Sequence, residues 1–356
     1  MRFGKKFIFV VALLSLAAAG CQPAGPGPSA TPAPRTLNVM THDSFDASVA
    51  LIDSFEQSHN VRVNILKSGD SGAALNKAIL SKDAPLADLF FGVDNSFLSR
   101  ALGSGIFDPY DAPALSTIPD SFKLDPQNRA LPVDYGDVCI NYDIAYFSSH
   151  NLAVPQSLDD LAQPQYRGLL VVEDPATSSP GLAFLLATVA HFGDSGYLDF
   201  WRALRANGLV VVDGWETAYN TNFSAASGHG PQPMVVSYAS SPPAEVVFSD
   251  PPLSEAPTAA ITNQDMCFRQ IEFVGILRGT ANRDLAEAFI DFMLSTAFQE
   301  DMPLKMFVFP VDPNAALPEV FTRFAQIPTQ PATLAPDVIA AGRDKWIQSW
   351  HQAVLE

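Results

Sequence analysis

Strand patterns and helical patterns alternate along most of this chain, and that alternation limits the folds it can adopt. Residues 61–66 alternate apolar and polar side chains, as a half-buried strand does, and residues 46–58 before them place apolar side chains at helical spacing. Repeated strand–helix–strand units favour parallel strands with helices on both faces of the sheet. We therefore predict an α/β protein built from mainly parallel sheets flanked by helices.

The same patterns locate the other elements. Short apolar or alternating runs predict strands, and apolar residues three and four apart predict helices. The body, residues 36–356, contains no stretch with the composition of a linker. The further strands are predicted at 36–41, 88–92, 137–142, 169–173, 210–212, 234–238 and 266–277, and the further helices near 75–80 and at 95–102, 180–192, 282–294 and 337–356.

The N-terminus has the pattern of a secretory signal. Basic residues precede an apolar run at 7–16, which is too short to span a membrane, and small residues then lead to Cys21. Small residues before a cysteine resemble the bacterial lipobox, in which that cysteine is diacylated and becomes the mature N-terminus. We predict a signal peptide at 1–20 and a lipid anchor on Cys21. Ordinary signal cleavage nearby is the alternative.

Residues 21–35 are predicted to be a tether. Five prolines lie between Gln22 and Arg35, and no apolar residue there is larger than alanine or proline. Such a segment cannot form a hydrophobic core and stays semi-extended. A folded body held at a membrane by a tether would work outside the cytoplasm.

The charge of the chain excludes some partners. The formal net charge is −17, and removing residues 1–20, which hold three basic and no acidic residues, leaves 18 − 38 = −20. A surface this acidic argues against nucleic acid and anionic membranes as partners. It is compatible with attracting a cation, although acidity also serves solubility. We expect a monomer.

Enzyme motifs are weak or missing. Gly-Asp-Ser-Gly occurs at 69–72 and 193–196, but neither copy continues as a chymotrypsin-like nucleophile signature does. The sequence has no Gly-x-Ser-x-Gly elbow, P-loop or His-Glu-x-x-His helix. The histidines lack the spacing of zinc ligands, and only His42 stands in a loop at a strand end. We therefore predict no catalytic residues, no metal site and no cofactor.

Two cysteines fall in predicted strands. Cys139 and Cys267 would be in an oxidising compartment if the protein is exported. A disulfide between them is allowed if their strands are neighbours. Two buried free thiols are the alternative.

Polar and aromatic residues collect in the loops that follow the predicted strands, where open α/β sheets bind ligands. Carboxylates together with aromatic faces suit an organic cation. Hydroxyl groups at 177–181, where a helix opens, could hold a phosphate. Turns and helix caps use the same residue types, so each loop alone has a structural explanation. The segments are 42–44, 70–72, 94–95, 134–136, 174–181, 214–219 and 237–242.

The order and spacing of these segments resemble the thiamine-binding proteins of bacterial thiamine ABC importers, within the larger group of extracellular solute-binding proteins. The resemblance covers the chain from about Leu37 to the C-terminus. Its most specific pieces are Thr-His-Asp-Ser-Phe at 41–45, Ala-Asp-Leu-Phe-Phe-Gly-Val-Asp-Asn at 87–95, Asp-Tyr-Gly at 134–136, Asp-Pro-Ala-Thr-Ser-Ser-Pro-Gly-Leu at 174–182, Gly-Trp-Glu-Thr-Ala-Tyr at 214–219 and Ser-Tyr-Ala-Ser-Ser-Pro at 237–242.

This resemblance implies a two-lobed fold of the periplasmic-binding-protein type with hinge strands between the lobes. Lobe 1 would comprise roughly 36–130 plus 275–356, and lobe 2 roughly 131–274. Thiamine or a thiamine phosphate would bind in the cleft and pass to an ABC permease and its ATPase.

The resemblance also assigns ligand contacts. Asp70 would supply negative charge, and Trp215 and Tyr238 would supply stacking faces. Ser178 and Ser179 would meet a hydroxyl or a phosphate of the ligand. The remaining contacts that it implies are Ser71, Ala239, Ser240, Ser241 and Pro242.

This chain departs from the family pattern at three places. His42 stands where the family usually has Tyr, the hydroxyl pair is Ser-Ser rather than Ser-Thr, and Phe307 stands where a Trp is usual. These changes leave open another organic cation, a ferric ion or an inorganic anion as the ligand. An extracytoplasmic thiamine-degrading enzyme on the same fold, or a sensor partner, is also compatible with the pattern.

Overall fold

A mixed sheet of eleven strands forms the centre of the described residues, which are 33–225, 229–251 and 253–356 of the computed structural model. The predicted signal peptide, Cys21 and nearly all of the tether lie outside these residues. The strands are β1 (Arg35–Thr41), β2 (Val61–Lys67), β3 (Leu89–Asp94), β4 (Phe107–Asp108), β5 (Leu131–Asp143), β6 (Leu170–Glu173), β7 (Val210–Val212), β8 (Met234–Tyr238), β9 (Thr258–Ile261), β10 (Phe268–Leu277) and β11 (Phe309–Pro310).

Helices flank this sheet along the whole described chain. Short 3₁₀ segments lie at Pro113–Ser116, Asp120–Phe122 and Pro164–Tyr166, and a π-helical turn lies at Ala218–Asn222. The α-helices are α1 (Val49–His59), α2 (Ser71–Leu80), α3 (Leu98–Ser104), α4 (Ile144–Ser149), α5 (Leu158–Leu161), α6 (Ser179–Ala206), α7 (Trp215–Thr217), α8 (Pro242–Val247), α9 (Arg283–Met293), α10 (Thr296–Lys305), α11 (Glu319–Phe324) and α12 (Pro336–Val354).

The strand directions divide the sheet into three parts. The main order is β2-β1-β3-β10-β5-β8-β6-β7. Strands β2, β1 and β3 are parallel to each other, and so are β8, β6 and β7. Between them, β10 and β5 pair antiparallel with each other and with their outer neighbours. The α/β class is confirmed, with parallel outer strands and two long antiparallel strands at the centre.

Helix α6 is longer than the sequence pattern indicated. Its backbone leaves the helical region at Gly193, where φ is +72°. Glycine tolerates this conformation at little cost, so the chain bends there and then continues as a helix to Ala206. The repeated Gly-Asp-Ser-Gly motif at 193–196 is therefore part of a helix bend.

Two large clusters of buried apolar side chains stabilise the two sides of the sheet. One joins β1 and β3 to α9 and α10, with Phe289 fully buried. The other joins α6 to α12, where Trp201 and Trp350 meet edge to face with ring centroids 5.4 Å apart. Trp346 is also buried, so the tryptophan pair of α12 belongs to the core.

Cys139 of β5 and Cys267, immediately before β10, are joined by a disulfide. The register of the two strands pairs Val138 with Phe268, which places Cys139 opposite Cys267 just before β10 begins. Residues 34–356 form one compact unit, and the lobe boundaries near 130 and 275 stay predictions. None of the helices in the described ranges combines the length and apolar character that a membrane span requires.

Candidate functional site

A cavity of about 550 Å³ opens where several loops meet the ends of the sheet strands. Its walls come from loops at 42–44, 69–71, 213–217 and 306–308, together with Tyr238 of β8 and Glu272 of β10. Cavities of this size bind small organic molecules and are much larger than a single metal ion needs. In the described part of the chain, no group of three or more His, Cys, Asp or Glu side chains is arranged to hold a metal ion.

Asp70 connects three segments at this cavity. Its Oδ1 accepts hydrogen bonds from the backbone N–H of Ser71 at 2.7 Å and of Ser179 at 3.4 Å. Its Oδ2 accepts the backbone N–H of Trp215 at 3.0 Å. The carboxylate therefore caps α2 and also holds the starts of α6 and α7. Burial raises the pKa of Asp70, although the bonds from Trp215 and Ser71 act in the opposite direction.

Aromatic rings form a second part of the wall. The rings of Trp215 and Tyr219 stack with centroids 5.0 Å apart, and the indole Nε1 of Trp215 donates to Ser237 Oγ at 2.9 Å. The Tyr238 hydroxyl donates to Gln270 Oε1 at 3.2 Å. Space for the Tyr238 ring depends on Gly136, because a Cβ there would lie 2.7 Å from Tyr238 Cδ1. These bonds hold the rings in fixed orientations.

The charge of the lining is negative. The described residues that line the cavity include no Lys or Arg, and His42 is their single basic side chain. Ser44 Oγ donates to Glu216 Oε1 at 2.7 Å. A lining of this sign favours a cationic ligand over an anion. The carboxyl groups are those of Asp43, Asp70, Asp213, Glu216 and Glu272.

His42 lies against Glu272 in the cavity wall. The distance from His42 Nε2 to Glu272 Oε1 is 3.5 Å, and both side chains are nearly buried. Gly92 makes this position possible, because a Cβ on it would lie 2.4 Å from His42 Cδ2. Burial lowers the pKa of His42, but the charge of Glu272, with smaller contributions from Asp70 and Asp43, raises it overall.

Three more carboxyl groups are buried behind the lining. Burial raises the pKa of Asp94 to about 6, against hydrogen bonds from Ser179 and Ser96 that lower it. Burial and the neighbouring Glu272 raise the pKa of Asp134 well above its usual range. Burial likewise raises the pKa of Glu173. Proteins rarely bury this many acidic groups without basic partners, so they are a marked feature of the site.

The structure brings together only part of the predicted set of ligand residues. Ser179 Oγ donates to the buried Asp94, and Ser178 is fully buried, so this hydroxyl pair lies behind the wall. Ala239, Ser240 and Pro242 are also outside the lining, because the backbone turns there from β8 into α8. The predicted residues that do line the cavity are His42, Asp70, Ser71, Trp215, Tyr238, Ser241 and Phe307.

Some cavity residues were absent from the sequence prediction. Glu272 is the most important, and its signal was an acidic residue between the apolar Ile271 and Phe273 within a predicted strand. Tyr219 belonged to the predicted loop 214–219 but not to the predicted ligand contacts, and it joins the site by stacking on Trp215. Met306 reaches the wall from the segment that contains Phe307, whose position no strand or helix pattern could fix.

Comparison with known proteins identifies the family to which this chain belongs. The model of the bacterial extracellular solute-binding protein family matches residues 84–323. The chain belongs to that family. The proteins of this family are binding proteins, and the likeness to thiamine-binding members predicted from the sequence is confirmed by the relatives.

Three relatives of this solute-binding protein are informative. The thiamine-binding periplasmic protein of Salmonella typhimurium is 29% identical over 323 residues, covering 89% of this chain and 93% of that protein. A solved periplasmic thiamin binding protein is 27% identical with a TM-score of 0.79, covering 93% of this chain and 99% of that one. Iron uptake protein A2 of Synechocystis is 25% identical over 312 residues, covering 85% of each chain.

The buried carboxyl groups predict an unusual dependence of stability on pH. Because the folded protein raises the pKa of Asp94 from 3.8 to about 6, its protonated form stabilises the fold at low pH. That contribution, about 3 kcal/mol, is lost as the pH rises from about 4 to about 6. Asp134 and Glu173 act in the same direction.

Asp134→Asn tests this dependence, because asparagine resembles the protonated acid and does not ionise. The free energy of unfolding, measured in urea at several pH values, should fall less with rising pH in the variant than in the wild type. Parallel pH curves for the two proteins would contradict the assignment of a protonated Asp134.

Proposed function

We propose that this protein captures thiamine outside the cytoplasm and delivers it to the permease of an ABC importer. The observation that carries the proposal is a cavity with five carboxyl groups, no Lys or Arg among its described lining residues, and aromatic rings in its wall. Thiamine is an organic cation with two flat rings, so charge attraction and stacking would both contribute to its binding. The sequence likeness to thiamine-binding proteins supports the same ligand.

A ferric ion is less well supported, although one relative is an iron uptake protein. A ferric site would want paired tyrosines with a histidine or a carboxylate, and two tyrosines do line the cavity. The hydroxyl of Tyr219 donates to Glu245 at 2.6 Å, and that of Tyr238 donates to Gln270. Burial raises the pKa of both phenols well above the usual value, which disfavours the phenolate that iron would need.

An inorganic anion and a thiamine-degrading activity are also less well supported. An inorganic anion would meet negative charge in the lining, and the described lining offers only His42 as a cation. A thiamine-degrading enzyme would need a nucleophilic cysteine in the cleft, but Cys139 and Cys267 are joined to each other. We therefore propose a binding protein without catalytic activity.

The N-terminal sequence supports anchoring at the cell membrane. We propose cleavage before Cys21 and diacylation of that residue, which would leave the body on a tether of residues 21–35. Cys21→Ser should move the protein from the membrane fraction to the soluble fraction, and mass spectrometry should find the lipid mass on the wild-type N-terminus. An unmodified mature N-terminus in the wild type would contradict the anchor.

Isothermal titration of the protein with thiamine tests the proposed ligand directly. We expect one thiamine bound per chain. Thiamine diphosphate should bind more weakly, because its phosphates would add negative charge near the acidic lining. No heat with any form of the vitamin, from protein shown to be folded, would reject thiamine.

Asp70→Asn tests whether the hydrogen bonds that Asp70 accepts from three loops are needed for thiamine binding. Asparagine has one acceptor oxygen, so at least one of the three backbone N–H groups would lose its partner. Losing one hydrogen bond to a charged group costs about 2 kcal/mol of stability. The three loops would then be held less firmly around the cavity, so we expect the variant to bind thiamine more weakly than the wild type. Asp53→Asn, at an exposed position of α1, is the matched control and should bind like the wild type. Equal affinities of the two variants would remove Asp70 from the site.

A further inference from the structure

A row of three carboxyl groups crosses the centre of the sheet beneath the cavity. Glu272 of β10 lies opposite Asp94 of β3 on one side and opposite Asp134 of β5 on the other. Asp94 and Asp134 are fully buried, and Glu272 is 5% exposed. Of the three, Glu272 alone lines the cavity.

These three groups cannot all carry a negative charge, because like charges directly opposite one another on adjacent strands repel. Asp94 is held by Ser96 and Ser179, which donate to its two oxygens. The oxygens of Asp134 receive no hydrogen bond from a donor in the described residues. Asp134, with its raised pKa, is therefore the neutral member of the row, and Glu272 is the carboxyl group of the three that faces the cavity.

His42 provides the positive charge beside Glu272. Its Nε2 lies 3.5 Å from Glu272 Oε1, and 8% of the residue is exposed. The charged groups that face His42 are Glu272 from β10, Asp70 from the start of α2 and Asp43 from its own loop. All three are acidic, so a protonated imidazole is stabilised in this position. Asp94, Asp134 and Tyr238 complete the titratable groups around Glu272.

The protonated imidazole occupies the position that a ligand cation would take. Two positive charges beside one carboxylate in a nearly buried wall repel each other strongly. A cation that enters the cavity next to Glu272 therefore competes with the proton of His42. The ring of His42 can remain in place as the neutral form, because its position depends on packing against Phe91 and Gly92.

We infer that Glu272 is the counterion of the bound cation, and that the cation replaces the proton of His42, which passes to the solvent. This inference rests on the proposed function, because it requires a cationic ligand. It makes binding weaker as the pH falls through the range in which His42 becomes protonated. The protein would thus hold its ligand most tightly at neutral to basic pH.

Titration calorimetry with thiamine in two buffers of different ionisation enthalpy, such as phosphate and Tris, counts the protons released. At about pH 6.5, near the usual pKa of histidine, we expect release of up to about one proton per thiamine bound. The dissociation constant should fall as the pH rises from about 5 to about 8. A binding enthalpy that is the same in both buffers would overturn the inference while leaving thiamine as the ligand.

His42→Gln isolates the source of the proton. On binding thiamine, this variant should release fewer protons than the wild type, and the difference is the number assigned to His42. It should also bind thiamine more tightly than the wild type at acid pH. Any proton exchange by thiamine itself is common to both proteins and cancels in the difference. His150→Gln, an exposed histidine of the loop after α4 that is outside the cavity, is the matched control and should behave as the wild type.

Glu272→Gln tests the counterion. It should lower the affinity for thiamine by about tenfold or more and also reduce the proton release, since His42 loses the carboxylate that favours its charge. Glu319→Gln, exposed on α11, is the control.

If His42→Gln releases as many protons as the wild type, His42 is excluded as the source. If no protein variant and no wild-type sample binds thiamine, both the proposed function and this inference fail.

Discussion

The carboxylate of Asp70 lies where three parts of the fold meet, and the shape of the cavity depends on it. It caps α2 and accepts backbone N–H groups at the starts of α6 and α7, so one side chain fixes the loop at 69–71 against the loops at 177–179 and 213–215. Hydrogen bonds to a charged acceptor are stronger than neutral ones, and here they join segments more than a hundred residues apart. The backbone N–H of Ser179 at the start of α6, which could otherwise bind an anionic group of a ligand, is thus already occupied by the carboxylate of Asp70.

The wall of the cavity carries a cost in stability that the rest of the fold must offset. Asp94, Asp134 and Glu173 are fully buried without a basic partner among the described residues, and each has a raised pKa. Burying such groups is unfavourable unless they stay protonated or meet a cation. An acidic site of this kind is less stable when empty at neutral pH, and a cationic ligand would relieve part of that cost. The clusters around Trp201 and Phe289 supply the apolar burial that keeps the unit folded.

His42 and Glu272 show how a departure from a family pattern can change the chemistry of a site. The family resemblance implies a tyrosine at the position of this histidine, and His42 instead brings a titratable cation into the wall of an otherwise acidic cavity. Gly92 is what allows the ring to approach β3 so closely. The inferred exchange of the His42 proton for a ligand cation would link the occupancy of the cavity to pH, which a tyrosine in the same place would not do near neutrality.

The sequence by itself determined the α/β class, the presence of parallel strands and several cavity residues, because periodicity and turn chemistry are local properties that each segment carries with it. It also indicated Asp70, Trp215 and Tyr238 through their place in a recognisable set of loops. Only the tertiary structure decided that β5 and β10 run antiparallel through the centre, that Ser178 and Ser179 lie behind the wall, and that Glu272 stands between Asp94 and Asp134 beside His42. Strand order and register depend on contacts between distant segments, and an acidic residue such as Glu272 acquires its role only from the neighbours that the fold places around it.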